Sequence, residues 1–176
     1  MSMVRVLARY RVALGGLMAL VTAWAAQPTL TSLAGGALVA MLGEGLRVWA
    51  AGHVEKSREV TSSGPYRYTR HPLYLGSTLV GIGIAIAAAN LWLGLAIVGY
   101  LVSTLTAAMR AEEAHLRDKF GAAYDQYAAR QAPPSSRAFS WDRAWRNREH
   151  HALAGLVAGL SLLVLKVWYS HGFVGM

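Results

Sequence analysis

The chain has 176 residues, of which 55% are hydrophobic and 15% are charged, and it contains no cysteine. The charged fraction lies well below the roughly 25% that is typical of soluble domains, so the composition favours one membrane-embedded domain, residues 1–176. The absence of cysteine excludes disulfides, thiolate catalysis and cysteine-ligated zinc or iron–sulfur sites.

Five apolar segments follow one another along the chain, separated by polar or basic stretches. A helix needs about 20 residues, and not fewer than roughly 17, to cross a bilayer. The predicted spans lie near 12–26, 30–51, 73–89, 91–109 and 152–169. The first is short on its own, so we expect it to include residues as early as Val4. The pattern predicts an all-α fold: a membrane bundle of about five transmembrane helices.

Lysine and arginine are unevenly distributed around these spans. The short connections near Gln27 and Asn90 carry no basic residue, whereas nearly all of the 17 basic residues lie at the opposite ends of the spans. Because basic loops remain in the cytoplasm, we predict that the N-terminus, 52–72 and 110–151 are cytoplasmic. The net charge of +8 then reflects topology and attraction to anionic lipid, and not nucleic-acid binding.

The first motif stands at the entry to the third span, where residues 64–76 read GPYRYTRHPLYLG. Gly64-Pro65 is a turn signal, and Pro72 is well placed as the first residue of a helix. The first backbone N–H groups of that helix, up to Leu75, would then be open toward the cytoplasm, where a helix start attracts anions. Alternatively, the arginines and tyrosines of the motif only anchor the helix end in the interface.

The second motif follows the fourth span, where residues 112–127 read EEAHLRDKFGAAYDQY. Its apolar side chains recur at helical spacing, which predicts an amphipathic helix that continues out of the membrane. Glu112 and Glu113 fall at the membrane edge, where a carboxylate is costly without a partner. Arg110, Arg70 and a bound cation are the candidate partners.

Two features inside the spans allow simpler interpretations. Gly81 and Gly83 permit either close helix packing or the approach of a flat ligand to the backbone. Glu44 and Arg47 are three residues apart in the second span, so we expect them to pair with each other. The histidines show no spacing suited to a common metal ion, and we predict no metal site.

Together the two motifs resemble the isoprenylcysteine carboxyl methyltransferase family and its phospholipid N-methyltransferase relatives. These are integral membrane enzymes that use S-adenosylmethionine. The resemblance covers about residues 44–130, and LRVWAAGHVEKSREVTSSGPY at 46–66 fits the bacterial branch. Residues 139–169, predicted as an interfacial helix and the last span, match no motif of these families.

The resemblance implies a cytoplasmic pocket for S-adenosylmethionine and an acceptor tunnel that reaches the lipid. The positions that match the cofactor contacts of the family are Arg70, His71, Tyr74, Gly76, Gly81, Gly83, Glu112, Glu113, Tyr124 and Tyr127. The candidate catalytic residues are Arg110, which would orient an anionic acceptor headgroup, and Glu113, because an amine acceptor must first lose a proton to a Glu or His.

The predicted function is S-adenosylmethionine-dependent methyl transfer to a lipophilic acceptor at the cytoplasmic membrane face. The acceptor is a lipid or a lipid-modified small molecule or peptide. Its reacting group is either the carboxylate of a prenyl thioether or similar apolar acid, or a lipid headgroup amine. Two alternatives stay open: an NADPH-dependent enzyme of the sterol-reductase kind, whose members share a similar motif but are generally longer, and a non-catalytic lipid-binding membrane module.

Overall fold

A computed structural model describes residues 3–56, 58–133 and 135–172, with side chains between residues 13 and 170. Within these ranges the chain forms seven α-helices and no β-strand, which confirms the all-α prediction. The helices are α1 (Met3–Ala25), α2 (Leu30–Ala51), α3 (Pro72–Ala88), α4 (Leu91–Phe120), α5 (Ala122–Ala128), α6 (Trp141–Arg146) and α7 (Glu149–Gly172). A 3₁₀ turn, Gly64–Arg67, precedes α3.

Three of these helices are long and apolar enough to cross a membrane, namely α2, α4 and α7. The apolar part of α1, Ala13–Ala25, and the whole of α3 are shorter. Each predicted span coincides with one helix, and α1 begins at Met3, as expected from the inclusion of residues as early as Val4. The molecule is therefore a helical membrane protein, and the count of five spans stays a prediction.

Helices α2 and α3 contact each other directly through their backbones. A methyl group on Gly36 would come within 2.4 Å of the carbonyl oxygen of Gly83, and one on Gly43 within 2.7 Å of the carbonyl oxygen of Gly76. The two glycines of each helix are seven residues apart, so they lie on one face, and Ala40 between them is fully buried. Small residues at these positions let the two backbones touch, as is common between membrane helices.

The two hairpin tips meet at one end of the bundle. The backbone N–H of Gln27 donates to the carbonyl of Ala88 at 2.8 Å, and the Asn90 side chain donates to the carbonyl of Ala25 at 3.2 Å. Asn90 also caps α4, because its side-chain oxygen accepts from the N–H of Leu93. This end, which carries no basic residue in its turns, is the one that we predict to be outside the cell.

The basic segments meet at the other end, which we call the basic end and define as residues 52–71 and 112–149. Arg143 donates to the carbonyl of Gly52 at 2.8 Å, and Arg137 pairs with Glu59 at 2.6 Å. The loop after α5 is tied to the first motif, since the Ser62 hydroxyl donates to the carbonyl of Pro133 at 3.3 Å. All three contacts join segments that are far apart in the sequence, so the basic end has a defined structure.

Adjacent glycines in α2 provide a matched test of the α2–α3 contact. Gly36→Ala should lower the thermal stability of the purified protein, because its methyl group meets backbone atoms of α3 that cannot move aside, at a typical cost of about 1–3 kcal/mol. Gly35→Ala should not destabilise the protein, because nothing lies within 4 Å of that position. Equal stability of the two variants would contradict the contact.

A second prediction concerns topology. A cysteine that replaces the exposed Gln27 should react with a membrane-impermeant thiol reagent added outside intact cells, whereas one that replaces the exposed Gln131 should react only in inverted vesicles. The chain has no native cysteine, so the background is low. The reverse labelling pattern would place the basic end outside.

Candidate active site

The first motif forms a turn and a helix start at the basic end. His71 is the N-cap of α3 and Pro72 is its first residue, as predicted. The first backbone bond of the helix runs from the N–H of Leu75 to the carbonyl of His71 at 3.0 Å. The expectation that the Leu75 N–H is open was therefore wrong, because it closes the first helical turn.

Glu113 brings the two motifs together. Its Oε1 atom lies 2.8 Å from Nε2 of His71 and 3.3 Å from a terminal nitrogen of Arg70. Arg70 was one of the predicted partners of the paired glutamates, and this pairing is confirmed. The Arg70 side chain is 45% exposed, so the guanidinium keeps N–H groups that face solvent. We call Arg70, His71 and Glu113 the motif cluster.

Glu112, the neighbour of Glu113, faces a different environment. It is exposed, and it makes no hydrogen bond or ion pair within the part of the chain that the structure describes. It lines a cavity of about 180 Å³ with Arg70, Tyr124 and Tyr127. Adjacent helix positions point in different directions, so one glutamate holds the motif cluster while the other is directed at the cavity.

A second cavity, of about 470 Å³, adjoins the first. Tyr66, Arg70 and Tyr127 line both cavities and so form a common wall. The hydroxyl of Tyr127 donates to the carbonyl of Tyr66 at 3.0 Å, which fixes α5 against the first motif. The two cavities lie at the basic end, among the residues that carry both motifs.

The tyrosines of this wall are largely shielded from water. Burial raises the pKa of Tyr66 and of Tyr124, and it raises the pKa of Tyr127 to about 12, so all three hydroxyls are protonated at neutral pH. The Tyr124 hydroxyl is buried and has no hydrogen-bond partner among the described residues. The guanidinium of Arg117 lies 5.6 Å from the centre of the Tyr124 ring. A buried hydroxyl without a partner is costly, which is a reason to expect a ligand beside it.

The other predicted positions lie apart from these cavities or at their edge. The ring of Tyr74 contacts that of His71, with centroids 5.7 Å apart. Gly76 and Gly83 face α2, and the close backbone contact explains both without a ligand. Gly81 faces Leu101, and a methyl group there would come within 2.3 Å of it. The structure therefore supports the packing interpretation for Gly83, whereas Gly81 also lines a cavity between the helices.

Two arginines differ from what their sequence context suggested. Arg110 is exposed and makes no hydrogen bond or ion pair to any described residue, so the structure does not bring it to the motif cluster. Arg67, an arginine of the first motif for which an anchoring role in the interface was the alternative, donates to the carbonyl of Ser135 at 2.6 Å. It therefore holds the loop after α5.

The sequence analysis did not predict a contact for Glu149, a buried charged residue. Arg47 pairs with Glu44 at 3.3 Å, as predicted, but it also contacts Glu149 at 2.6 Å. Glu149 begins α7, more than a hundred residues after Arg47. The only sequence signal was an acidic residue in the first turn of an apolar helix, which a favourable interaction with the helix dipole already explains.

The comparison with known families agrees with this arrangement. Residues 10–123 match the model of the family described as phospholipid methyltransferase. The chain belongs to this family. Membership implies a methyltransferase that acts on lipids at a membrane, and it confirms the resemblance to membrane methyltransferases that the two motifs carry. No curated protein and no solved structure matches the chain. The match ends before α6 and α7 and includes the motif cluster.

The two neighbouring glutamates allow a direct test of the motif cluster. Glu113→Gln should lower the thermal stability of the ligand-free protein, because Arg70 and His71 lose their shared carboxylate, at about 1 kcal/mol for such partly exposed contacts. Glu112→Gln should leave stability unchanged, since no described residue pairs with it. Thermal unfolding of both variants in the same detergent checks this, and equal effects would contradict the different roles.

Proposed function

We propose that the chain transfers a methyl group from S-adenosylmethionine to a lipophilic acceptor at the cytoplasmic face of a bacterial inner membrane. The observation that carries the proposal is the motif cluster beside a cavity lined by Glu112 and tyrosines, in a member of the phospholipid methyltransferase family. The reacting groups of the acceptor remain those considered above, a carboxylate or an amine.

The residues around the two cavities fit this cofactor. Its carboxylate suits the solvent-facing N–H groups of Arg70 by charge-assisted hydrogen bonding, and its α-amino group or ribose hydroxyls suit Glu112. The aromatic wall of Tyr66 and Tyr127 offers faces for the adenine and the cationic sulfur. The Tyr124 hydroxyl, buried without a partner among the described residues, is available to the ligand as well.

The roles of the two glutamates follow from their surroundings. Glu113 accepts from both His71 and Arg70 through one oxygen, so it is better suited to position these side chains than to take a proton. Glu112 has no partner within the described residues and is the better candidate for direct cofactor contact. The cofactor set that we propose is therefore Arg70, His71, Tyr74, Glu112, Glu113, Tyr124 and Tyr127.

Positioning supplies most of the catalysis in this proposal. When bound, S-adenosylmethionine provides a methyl group attached to a positively charged sulfur. Transfer of that methyl group would require the acceptor oxygen, or a deprotonated acceptor nitrogen, to be held in line with it, and alignment of the reactants can contribute about 7–11 kcal/mol to lowering the barrier. Arg70 and Glu112 would fix the donor end, and the tyrosine wall would keep water away from it.

The family match also helps to choose between the methyltransferase, the reductase and the non-catalytic module. A sterol-reductase-like enzyme would need a site for NADPH, and a non-catalytic module would need no polar cofactor site. The phospholipid methyltransferase match, together with the buried Tyr124 hydroxyl that no described residue satisfies, favours a methyltransferase with a polar ligand at the basic end.

Calorimetric titration of detergent-solubilised protein with S-adenosylhomocysteine tests the proposal. We expect saturable binding to the parent, weaker binding to Arg70→Lys, and still weaker binding to Arg70→Ala, because lysine keeps the charge but not the planar fork. Glu112→Gln should weaken binding roughly ten- to a hundredfold through loss of a charge-assisted hydrogen bond.

The control is Asp118→Asn, which removes a carboxylate from the exposed face of the same helix and should bind as the parent does. The detergent-solubilised parent protein is also titrated with NADPH. Saturable binding of NADPH without binding of S-adenosylhomocysteine would favour the reductase, and binding of neither would refute the methyltransferase proposal.

A further inference from the structure

Part of the wall of the 180 Å³ cavity is a short stretch of chain without regular secondary structure, residues 59–62, which we call the wall segment. Three of its residues, Glu59, Val60 and Thr61, line the cavity together with Glu112. A stretch that has no helical or strand hydrogen bonds opens easily unless other contacts hold it. The shape of the cavity therefore depends on what fixes the wall segment.

Both ends of the wall segment are fixed by the connection between α5 and α6. At one end Arg137 donates to the carboxylate of Glu59 at 2.6 Å. At the other end the Ser62 hydroxyl donates to the carbonyl of Pro133 at 3.3 Å and accepts from the N–H of Ser135 at 3.1 Å. All of these contacts join residues that are about 70 or more positions apart in the sequence.

The ion pair between Glu59 and Arg137 also affects the charge of the cavity. Three carboxylates line this cavity, those of Glu55, Glu59 and Glu112. Arg137 pairs with Glu59, and Arg146 pairs with Glu55 at 3.4 Å, yet neither arginine lines the cavity. Two of the three carboxylates are thus neutralised from outside the cavity. Within the described residues, Glu112 is the carboxylate of the lining that has no such partner.

We propose that Arg137 is a positioning residue of the cofactor site. Through Glu59 it holds the wall segment in place and cancels the charge of that carboxylate, so that the α-amino group of the cofactor is directed to Glu112. The inference rests on the proposed function, because it concerns the site at which S-adenosylmethionine would bind. Arg137 follows residue 123, where the family match ends, so the match does not account for it.

A double-mutant cycle tests the inference by calorimetric titration of S-adenosylhomocysteine into the detergent-solubilised protein. Arg137→Ala and Glu59→Gln should each weaken binding about fivefold, the upper end for a partly exposed ion pair. Because both changes break the same contact, the double variant should bind no more weakly than either single variant. Arg137→Lys should keep most of the affinity, since lysine retains the positive charge beside Glu59.

The matched control is Lys119→Ala, which removes one positive charge from an exposed position of α4 and should bind as the parent does. Thermal unfolding of every variant is measured in the same detergent. A role in stability alone would lower the unfolding temperature of Arg137→Ala and leave its affinity unchanged, and that result would overturn the inference. Losses that multiply in the double variant would overturn it as well.

Limited trypsin digestion of the ligand-free protein separates this inference from the proposed function. Cleavage after Arg58, directly before the wall segment, requires local opening, so it should be about fivefold faster in Arg137→Ala and unchanged in Lys119→Ala. If the parent does not bind S-adenosylhomocysteine, the proposed function fails, whereas faster cleavage still supports Arg137 as the residue that positions this wall.

Equal cleavage rates in the parent and Arg137→Ala would overturn the inference, whether or not S-adenosylhomocysteine binds. If Arg137→Ala does not fold, Glu59→Gln, which keeps the size of the side chain, decides by the same two measurements.

Discussion

The backbone contact between α2 and α3 is the constraint on which the rest of the structure depends. Gly36 and Gly43 lie against Gly83 and Gly76 so closely that no side chain fits between them. This contact fixes the depth of α3 relative to α2, and with it the distance between Arg47 on one helix and Ser77 on the other. It also sets the height at which Pro72 begins α3, and so where the motif cluster stands at the basic end.

Two clusters among the described residues are each centred on an arginine, and they differ in exposure and in the number of carboxyl groups. At the basic end Arg70 and His71 share one carboxylate, and the guanidinium still faces solvent, so the cluster retains capacity for an anion. In the interior the Arg47 side chain lies between two carboxyl groups, Glu44 and Glu149, which are both almost fully buried.

Most helix positions could be predicted from the lengths of the apolar segments. The helix start at Pro72 and the Glu44–Arg47 pair could be predicted from local spacing, because both depend on residues that are close in sequence. The contact of Arg70 with Glu113 could also be predicted, because both residues lie at a membrane edge, where a charged side chain needs a partner. The Glu149–Arg47 and Arg67–Ser135 contacts were not, because each joins segments whose relative position depends on packing. The cofactor roles expected for Gly76 and Gly83 compete with a packing role that only the α2–α3 contact reveals.

The last helix, α7, takes part in the interior of the bundle and not in the motif cluster. α7 supplies Glu149, a partner of Arg47, and much of one wall of a cavity of about 510 Å³ between the helices, but it contributes no residue to the motif cluster. Substitutions along α7 can therefore reshape that cavity while the contacts between the two motifs, which lie within the family match, stay in place. The interior space and the helix ends that carry the motifs are thus separable, since a change in one helix alters the first without altering the second.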